Sequence, residues 1–295
     1  MTAATIAEAL GGARREGRDW RCVCPVHGGR SLTLRDGRDG RLLVRCWGGG
    51  CDARDVLASL WHWGLLAGRS ERARPVPVAS CSDNPGDNAR RVVLARRIWE
   101  SAREARGTPV ARYLVGRAIT IPPPPSIRWT SSLRRPDGIY RPAMVARVDG
   151  LDGELIGVHR TWLHRDESGM WRRHGRAMLG RVAAGAVWLA PAAESLLVAE
   201  GIETALAAMR ATGQPAWAAL STSGIMALRL PPMVRQVIII ADHDRSGAGE
   251  RAARTAAQQW YAEGRRVQIY ISPHVGEDAA DRLLATAGEE GCRAA

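Results

Sequence analysis

In the last third of the chain, apolar residues come in short unbroken runs, at Ser195–Ala199 and 237–241, and another strand-like run follows at 267–271. The first two lead into stretches with helical spacing, so the runs predict strands of a parallel sheet buried on both faces, an α/β arrangement. Nearer the start, residues 31–34 and 41–44 flank a polar Asp/Gly/Arg turn and predict a hairpin, followed by a helix over 52–60. In the middle, the spacing of Val92, Leu94, Ile98 and Trp99 predicts a helix over 88–104 with arginines between its apolar positions. Thr108 and Pro109 then supply the cap and first position of a second helix ending near Gly116. Pro122 to Pro125 force an extended connection. The segments 144–148 and 155–161, on either side of Asp149-Gly-Leu-Asp-Gly153, predict another hairpin. Residues 70–88, with Pro75, Pro77 and Pro85 among small polar residues, read as a linker. No run approaches the ~18 apolar residues of a membrane span.

Acidic residues follow the three apolar runs. Glu200 comes directly after the first, Asp242 and Asp244 after the second, and Glu277, Asp278 and Asp281 shortly after the third. Any one of these could be a helix cap or a turn residue. Together they place carboxylates at the C-terminal ends of strands, where open α/β sheets bind ligands. Carboxylates gathered there repel one another unless a cation shares them, and hard oxygen donors suit Mg²⁺ or Mn²⁺. The pattern predicts a divalent-metal phosphoryl-transfer site.

A second cluster lies near the start. Cys24-Pro-Val-His27 and Cys46-Trp-Gly-Gly-Gly-Cys51 are two ligand pairs joined by the predicted hairpin, the pattern of a zinc ribbon with a closed tetrahedral site. A disulfide framework would suit an exported protein, but the first residues have no basic segment followed by a long apolar core, which points to the cytoplasm. Cys22 is a fifth candidate ligand, while Cys81 and Cys292 have no partner spacing and read as free thiols.

Charge agrees with a polyanionic partner. The formal net charge is +12 and all 42 basic residues are arginine, with no lysine in the chain. Arginine forks onto phosphate and stacks on bases, so such a surface favours single strands and is salt-sensitive.

The motif Glu200-Gly201-Ile202-Glu203-Thr204, then Asp242-His243-Asp244-Arg245-Ser246-Gly247, then Gly276-Glu277-Asp278-Ala279-Ala280-Asp281, resembles the Toprim domain of bacterial-type primases, topoisomerases and some nucleases. The resemblance implies that Glu200, Asp242 and Asp244 are the catalytic acids and hold Mg²⁺ or Mn²⁺, with Asp278 as a fourth carboxylate. The cysteine segment, from Trp20 through the helix at 52–60, is similar to the zinc-binding domain of bacterial and phage primases, although its second knuckle has four intervening residues instead of two. Zinc would be held by Cys24, His27, Cys46 and Cys51. Arg141-Pro142-Ala143-Met144 and Met178-Leu179-Gly180 resemble the basic subdomain that precedes Toprim in primases of phages and mobile elements. By that analogy Arg147, Arg160, Arg172, Arg173 and Arg176 contact the template or the nucleotide, with Arg160 on a strand facing the metal cleft.

These readings give a zinc ribbon over 1–69, a linker over 70–88, a basic α+β subdomain over 89–189 and a Rossmann-like Toprim domain over 190–290. The expected function is DNA priming by metal-dependent nucleotidyl transfer, with single-stranded DNA and nucleoside triphosphates as partners. No Walker-type loop is present, so a replicative helicase would come from another chain. The alternatives are a Toprim nuclease or topoisomerase, and a catalytically silent DNA-binding protein of a plasmid or prophage. A topoisomerase needs a nucleophilic tyrosine in a separate cleavage domain, which Tyr113, Tyr140, Tyr261 and Tyr270 do not provide. Isolated histidines such as His159, His164, His174 and His243 read as structural or surface residues.

Overall fold

The computed structural model describes residues 1–26, 28–37, 40–47, 53–66, 85–136, 138–241 and 247–271, and the chain divides into two units, Met1–Asp83 and Asn84–Ala295. The first unit opens with helix α1 (Ala3–Leu10), capped by the Thr2 hydroxyl, which accepts from the Thr5 amide. Strands β1 (Arg14–Glu16), β2 (Asp19–Cys22), β3 (Leu32–Asp36) and β4 (Leu42–Cys46) form an antiparallel sheet in sequence order, followed by α2 (Ala53–His62). Ile6, Leu32, Leu34, Val56 and Leu60 are fully buried between the sheet and the two helices. Burial of each such side chain contributes roughly 1.5–3 kcal/mol.

The second unit begins with α3 (Pro85–Ser101), which starts inside the stretch that reads as linker and stops short of the predicted end. It stops because Arg103 and Glu104 leave the helix to pair, as strand β5 (Arg103–Glu104), with Trp129 and Arg128. Helix α4 (Pro109–Val115) has the predicted cap: the Thr108 side chain accepts from the Val110 amide, and Gly116 closes the other end. Strands β6 (Ile127–Arg134), β7 (Tyr140–Asp149), β8 (Leu155–Arg165) and β9 (Trp171–Gly180) continue from β5 as an antiparallel meander. One face of this sheet packs Val145, Leu155 and Val158 against Ala95 and Trp99 of α3. The other face packs Ile127, Met144, Ala146, Val148 and Leu163 against α4 and the next domain of the chain.

That domain is a second five-stranded sheet. Its elements are β10 (Val187–Trp188), β11 (Ser195–Ala199), α5 (Ile202–Thr212), β12 (Ala216–Ala218), α6 (Thr222–Ala227), β13 (Gln236–Ala241), α7 (Ala248–Ala262) and β14 (Arg266–Ile271). The strand order is β10-β12-β11-β13-β14, with β10 antiparallel at the edge and every other pairing parallel. The continuous apolar runs have their predicted cause. Leu197, Ala199 and Ile240 face α5 and the antiparallel sheet, while Leu196, Val198, Val237 and Ile239 face Trp260 and Ala253 of α7. Side chains buried on both faces leave little room on the strands for polar chemistry, which moves to their ends.

Candidate active site

From β11 the chain passes through α5 to β12 on one side, then through α6 to β13 on the other side of β11. Strands β11 and β13 are therefore hydrogen-bonded neighbours whose outgoing connections run in opposite directions, the switch point at which open α/β sheets form a ligand crevice. Register places Ala199 beside Ile240, so Glu200 comes level with Ala241 and one residue short of Asp242. The two acidic motifs thus emerge from adjacent strand ends. Asp242, Asp244 and Asp278 themselves lie outside the described residues, as do His27 and Cys51.

The backbone around Glu200 is tightly determined. Its carbonyl accepts from the Leu220 amide at 2.9 Å, and the Ala199 carbonyl accepts from Ala219 at 2.9 Å, so the loop after β12 closes over the end of β11. Leu220 is held at φ +69°, a left-handed conformation that costs a non-glycine residue about 1–3 kcal/mol. Gly224 is required a few residues later, since a Cβ there would sit 2.0 Å from the Ala219 carbonyl oxygen. Strain and close approach beside a strand-end carboxylate are what a pre-organised site shows.

A buried polar network stands one turn from Glu200. Glu203, in the first turn of α5, accepts from the Tyr113 hydroxyl at 2.6 Å and lies 3.9 Å from the Arg173 guanidinium. Burial alone would raise the Glu203 carboxyl. The Tyr113 hydroxyl, a backbone amide, Arg173 and His159 outweigh it and hold the group below the usual carboxylate range. Burial, with Glu203 beside it, pushes the Tyr113 phenol well above its ordinary value. His159 is buried on the same face of β8, and desolvation, partly opposed by Glu203 and reinforced by Arg176, Arg173 and Arg160, pushes it down to about 4. It is neutral at physiological pH. The network escapes sequence reasoning because Tyr113 and Glu203 are 90 residues apart, and because a lone His or Tyr is most often an ordinary structural residue; the alternation of β8 is the available signal.

That alternation corrects one expectation. Thr161 and His159 point toward the Glu203 side of the sheet, whereas Arg160 lies with Val158 and Trp162 on the α3 side. It donates to the Met178 carbonyl at 3.3 Å, and burial, then Arg91, lowers it to about 10. Period-two alternation turns Arg160 away from the face on which Leu163 and Ala146 are buried. The other basic residues separate into two groups. Arg173 and Arg176 pair in register with Leu163 and Thr161 and so stand on the Glu203 side. Arg147 instead bonds Asp149 and the Gly153 carbonyl, and Arg172 bonds Asp166 at 2.8 Å, each bracing a hairpin.

In the first unit, Cys24 is buried and Cys46 half-buried. The Cys24 amide and carbonyl bond Gly29 and Gly28 at 2.8 Å, which closes a tight turn. Cys22 is buried with its thiol toward the Leu32 carbonyl at 3.8 Å and sits in one cross-strand row with Leu32 and Cys46. Among the described residues no three His, Cys, Asp or Glu side chains converge as a metal site. The donors themselves fit the expected ions: thiolates suit zinc, and a strand-end carboxylate suits Mg²⁺ or Mn²⁺.

Two family models match parts of the second unit. Residues 195–289 match the Toprim domain, and residues 89–189 match a domain of unknown function (DUF7146). The chain therefore carries a Toprim domain behind the antiparallel sheet. Among solved structures it is similar to the Aquifex aeolicus primase (zinc binding and RNA polymerase domains), at 16% identity, covering 99% of this chain and 82% of that one with a TM-score of 0.44. It is also similar to a DNA primase domain from Pseudomonas aeruginosa, at 18% identity over 69% of this chain and 77% of that one, TM-score 0.43. A third is the DnaG primase catalytic domain bound to ssDNA, at 18% identity over 71% and 81%, TM-score 0.44. No curated protein matches the chain.

Proposed function

We propose that the chain is a DNA primase that joins nucleotides on a single-stranded DNA template by metal-dependent nucleotidyl transfer. The observation that carries this reading is the switch point of a Toprim domain, where the strands leading into Glu200 and Asp242 run side by side and Arg173 of β9 lies 3.9 Å from Glu203 in the helix that follows the first. Glu200, Asp242 and Asp244, with Asp278, would hold Mg²⁺ or Mn²⁺. When bound, the ion supplies charge neutralisation at the α-phosphate as the 3′-hydroxyl attacks and pyrophosphate leaves. The chain's own residues supply position. Arg173 and Arg176, exposed on the Glu203 side, attract the polyphosphate or the template. Glu203 and Tyr113 keep the turn that carries Glu200 fixed against α4 and β9, and neutral His159 adds no competing charge. The strained loop at Leu220 buttresses the strand end.

In the same proposal the first unit is a zinc ribbon, with Cys24, His27, Cys46 and Cys51 as ligands, that engages the template. Cys46→Ser should then release about one zinc per chain. The primase reading is tested by incorporation of labelled ribo- or deoxyribonucleotides on single-stranded DNA, with Mg²⁺ or Mn²⁺ and with a replicative helicase added. Synthesis that needs metal supports it. Metal-dependent strand cutting without synthesis would assign a Toprim nuclease, and DNA binding with neither activity a silent binding module.

A further inference from the structure

The α3 side of the antiparallel sheet carries a second concentration of charge that the acidic strand ends do not explain. Arg141, Ala143 and Val145 alternate along β7, and Arg160, Trp162 and His164 along β8, with Ala143 opposite Trp162 and Val145 opposite Arg160. All six side chains therefore share one face. Arg135, just beyond β6, is buried on the same patch: its guanidinium lies 5.9 Å from the Trp162 ring, and one of its terminal nitrogens is 3.9 Å from where a Cβ on Gly175 would stand. Arg160 reaches the same ring from 5.2 Å. Two guanidiniums thus lie against the Trp162 ring, and Gly175, opposite it in the neighbouring strand, puts no side chain beside Arg135.

Among the described residues, Nε of Arg141, Nε of Arg160 and Nδ1 of His164 are buried without a hydrogen-bond partner. Among the described residues neither Arg141 nor Arg160 is paired with a carboxylate; Arg160 has only the long bond to the Met178 carbonyl, and the charge it feels most is the like charge of Arg91. Guanidinium groups cannot shed their protons to relieve such crowding, and buried N–H groups that lack an acceptor are costly. Cation–π contact with Trp162 attracts the plane of the Arg160 guanidinium and supplies no acceptor for its Nε–H. A planar fork with free edge donors is matched by a tetrahedral oxyanion, which can accept from several guanidiniums at once.

We infer that Arg135, Arg141 and Arg160, floored by Trp162 and flanked by His164, form a phosphate-binding pocket on the face of the antiparallel sheet opposite Glu203. It is a site of its own within residues 89–189, and it stands whether or not the acidic strand ends catalyse synthesis. The phosphate comes from a polyphosphate tail or from the backbone of a nucleic-acid strand, and two probes separate these sources: inorganic tripolyphosphate and a 15-residue thymidine oligonucleotide.

The test uses the full chain at constant ionic strength. Saturable stabilisation is expected, with Tm raised by roughly 5 °C at a hundredfold excess over Kd. Arg141→Gln and Arg160→Met should each weaken binding about tenfold or more, while Arg254→Gln, an exposed charge-matched control on α7, should leave it unchanged. Modification of wild-type arginines by phenylglyoxal, read by mass spectrometry, gives a second measurement that needs no variant. The bound probe should protect Arg135, Arg141 and Arg160. Protection by tripolyphosphate assigns a polyphosphate tail, and protection by the oligonucleotide alone assigns a strand. If neither probe protects these arginines, or stabilisation persists undiminished in both variants, the pocket is refuted.

Discussion

The two five-stranded sheets of the second unit use their residues in opposite ways. In the parallel sheet, β11 and β13 are buried on both faces, so their side chains go to the core and the polar chemistry is confined to the residues just past the strand ends, beginning with Glu200 and Asp242. In the antiparallel sheet, β8 and β9 carry charge along their length: Arg173 and Arg176 toward Glu203, Arg160 and His164 toward α3. A sheet closed on both faces can present a few groups with strict geometry, as bond making requires. An antiparallel sheet with a partly open face can present many, as binding a long polyanion requires. The division of labour arises from topology before any residue is chosen.

The largest effect expected from breaking this division is at the strand end. Glu200→Gln keeps the shape and removes the charge, and should lower the rate of nucleotide incorporation by about 10²–10³-fold, the scale of losing one preorganised charge contact to the transition state. Folding should be unaffected, as read by an unchanged Tm.

The next effect lies where the sheets meet. His159 is held down to about 4 by burial, against an ordinary value near 6.5. Its neutral form is favoured in the folded state, so the stability it permits is complete above about pH 6.5 and is lost as pH falls toward about 4, where the unfolded chain binds a proton that the folded chain resists. Denaturation measured across that window should show a decline of about 3 kcal/mol attributable to this residue, absent in His159→Gln. Glu203 adds in the same direction at lower pH: its carboxyl is depressed in the fold, so its contribution is present above the ordinary glutamate range and is lost as acid protonates it.

A smaller loss is expected from Tyr113→Phe. The variant deprives the Glu203 carboxylate of a 2.6 Å donor in a mostly buried place and should cost about 2 kcal/mol in chemical denaturation, with no change in zinc content.

Much of the parallel sheet was legible in the sequence. The run Ser195–Ala199 matches its strand at both ends, and the runs at 237–241 and 267–271 each gain one residue at the start. Continuous apolar stretches with acids behind them have few other physical meanings. The cap at Thr108 was legible for the same reason: a hydroxyl followed by proline is a local signal. The antiparallel sheet was legible in part. Its central hairpin shows in the pattern, but β6 and β9 do not, since Arg172, Arg173, His174 and Arg176 interrupt the period-two alternation and a bulge between Trp162 and Leu163 shifts the register. The three-residue strand β12 is too short to leave a periodic trace. At the site, the position of Glu200 at a strand end was readable from one motif, whereas the Tyr113–Glu203 contact and the shared face of Arg141 and Arg160 depend on tertiary register that no local window holds.

The separation of chemistry at the acidic strand ends from binding on the basic sheet is what sets the two sheets apart. It is tested most directly by measuring turnover and single-strand affinity together in two variants, Asp242→Asn and the double change Arg173→Gln with Arg176→Gln. Asp242→Asn should lose incorporation while binding DNA as wild type does. The arginine pair should bind more weakly, with a log–log salt slope reduced by about one for each phosphate contact removed, and should recover much of its turnover at saturating DNA. Full incorporation by Asp242→Asn, or an unchanged salt slope in the arginine variant, would contradict it.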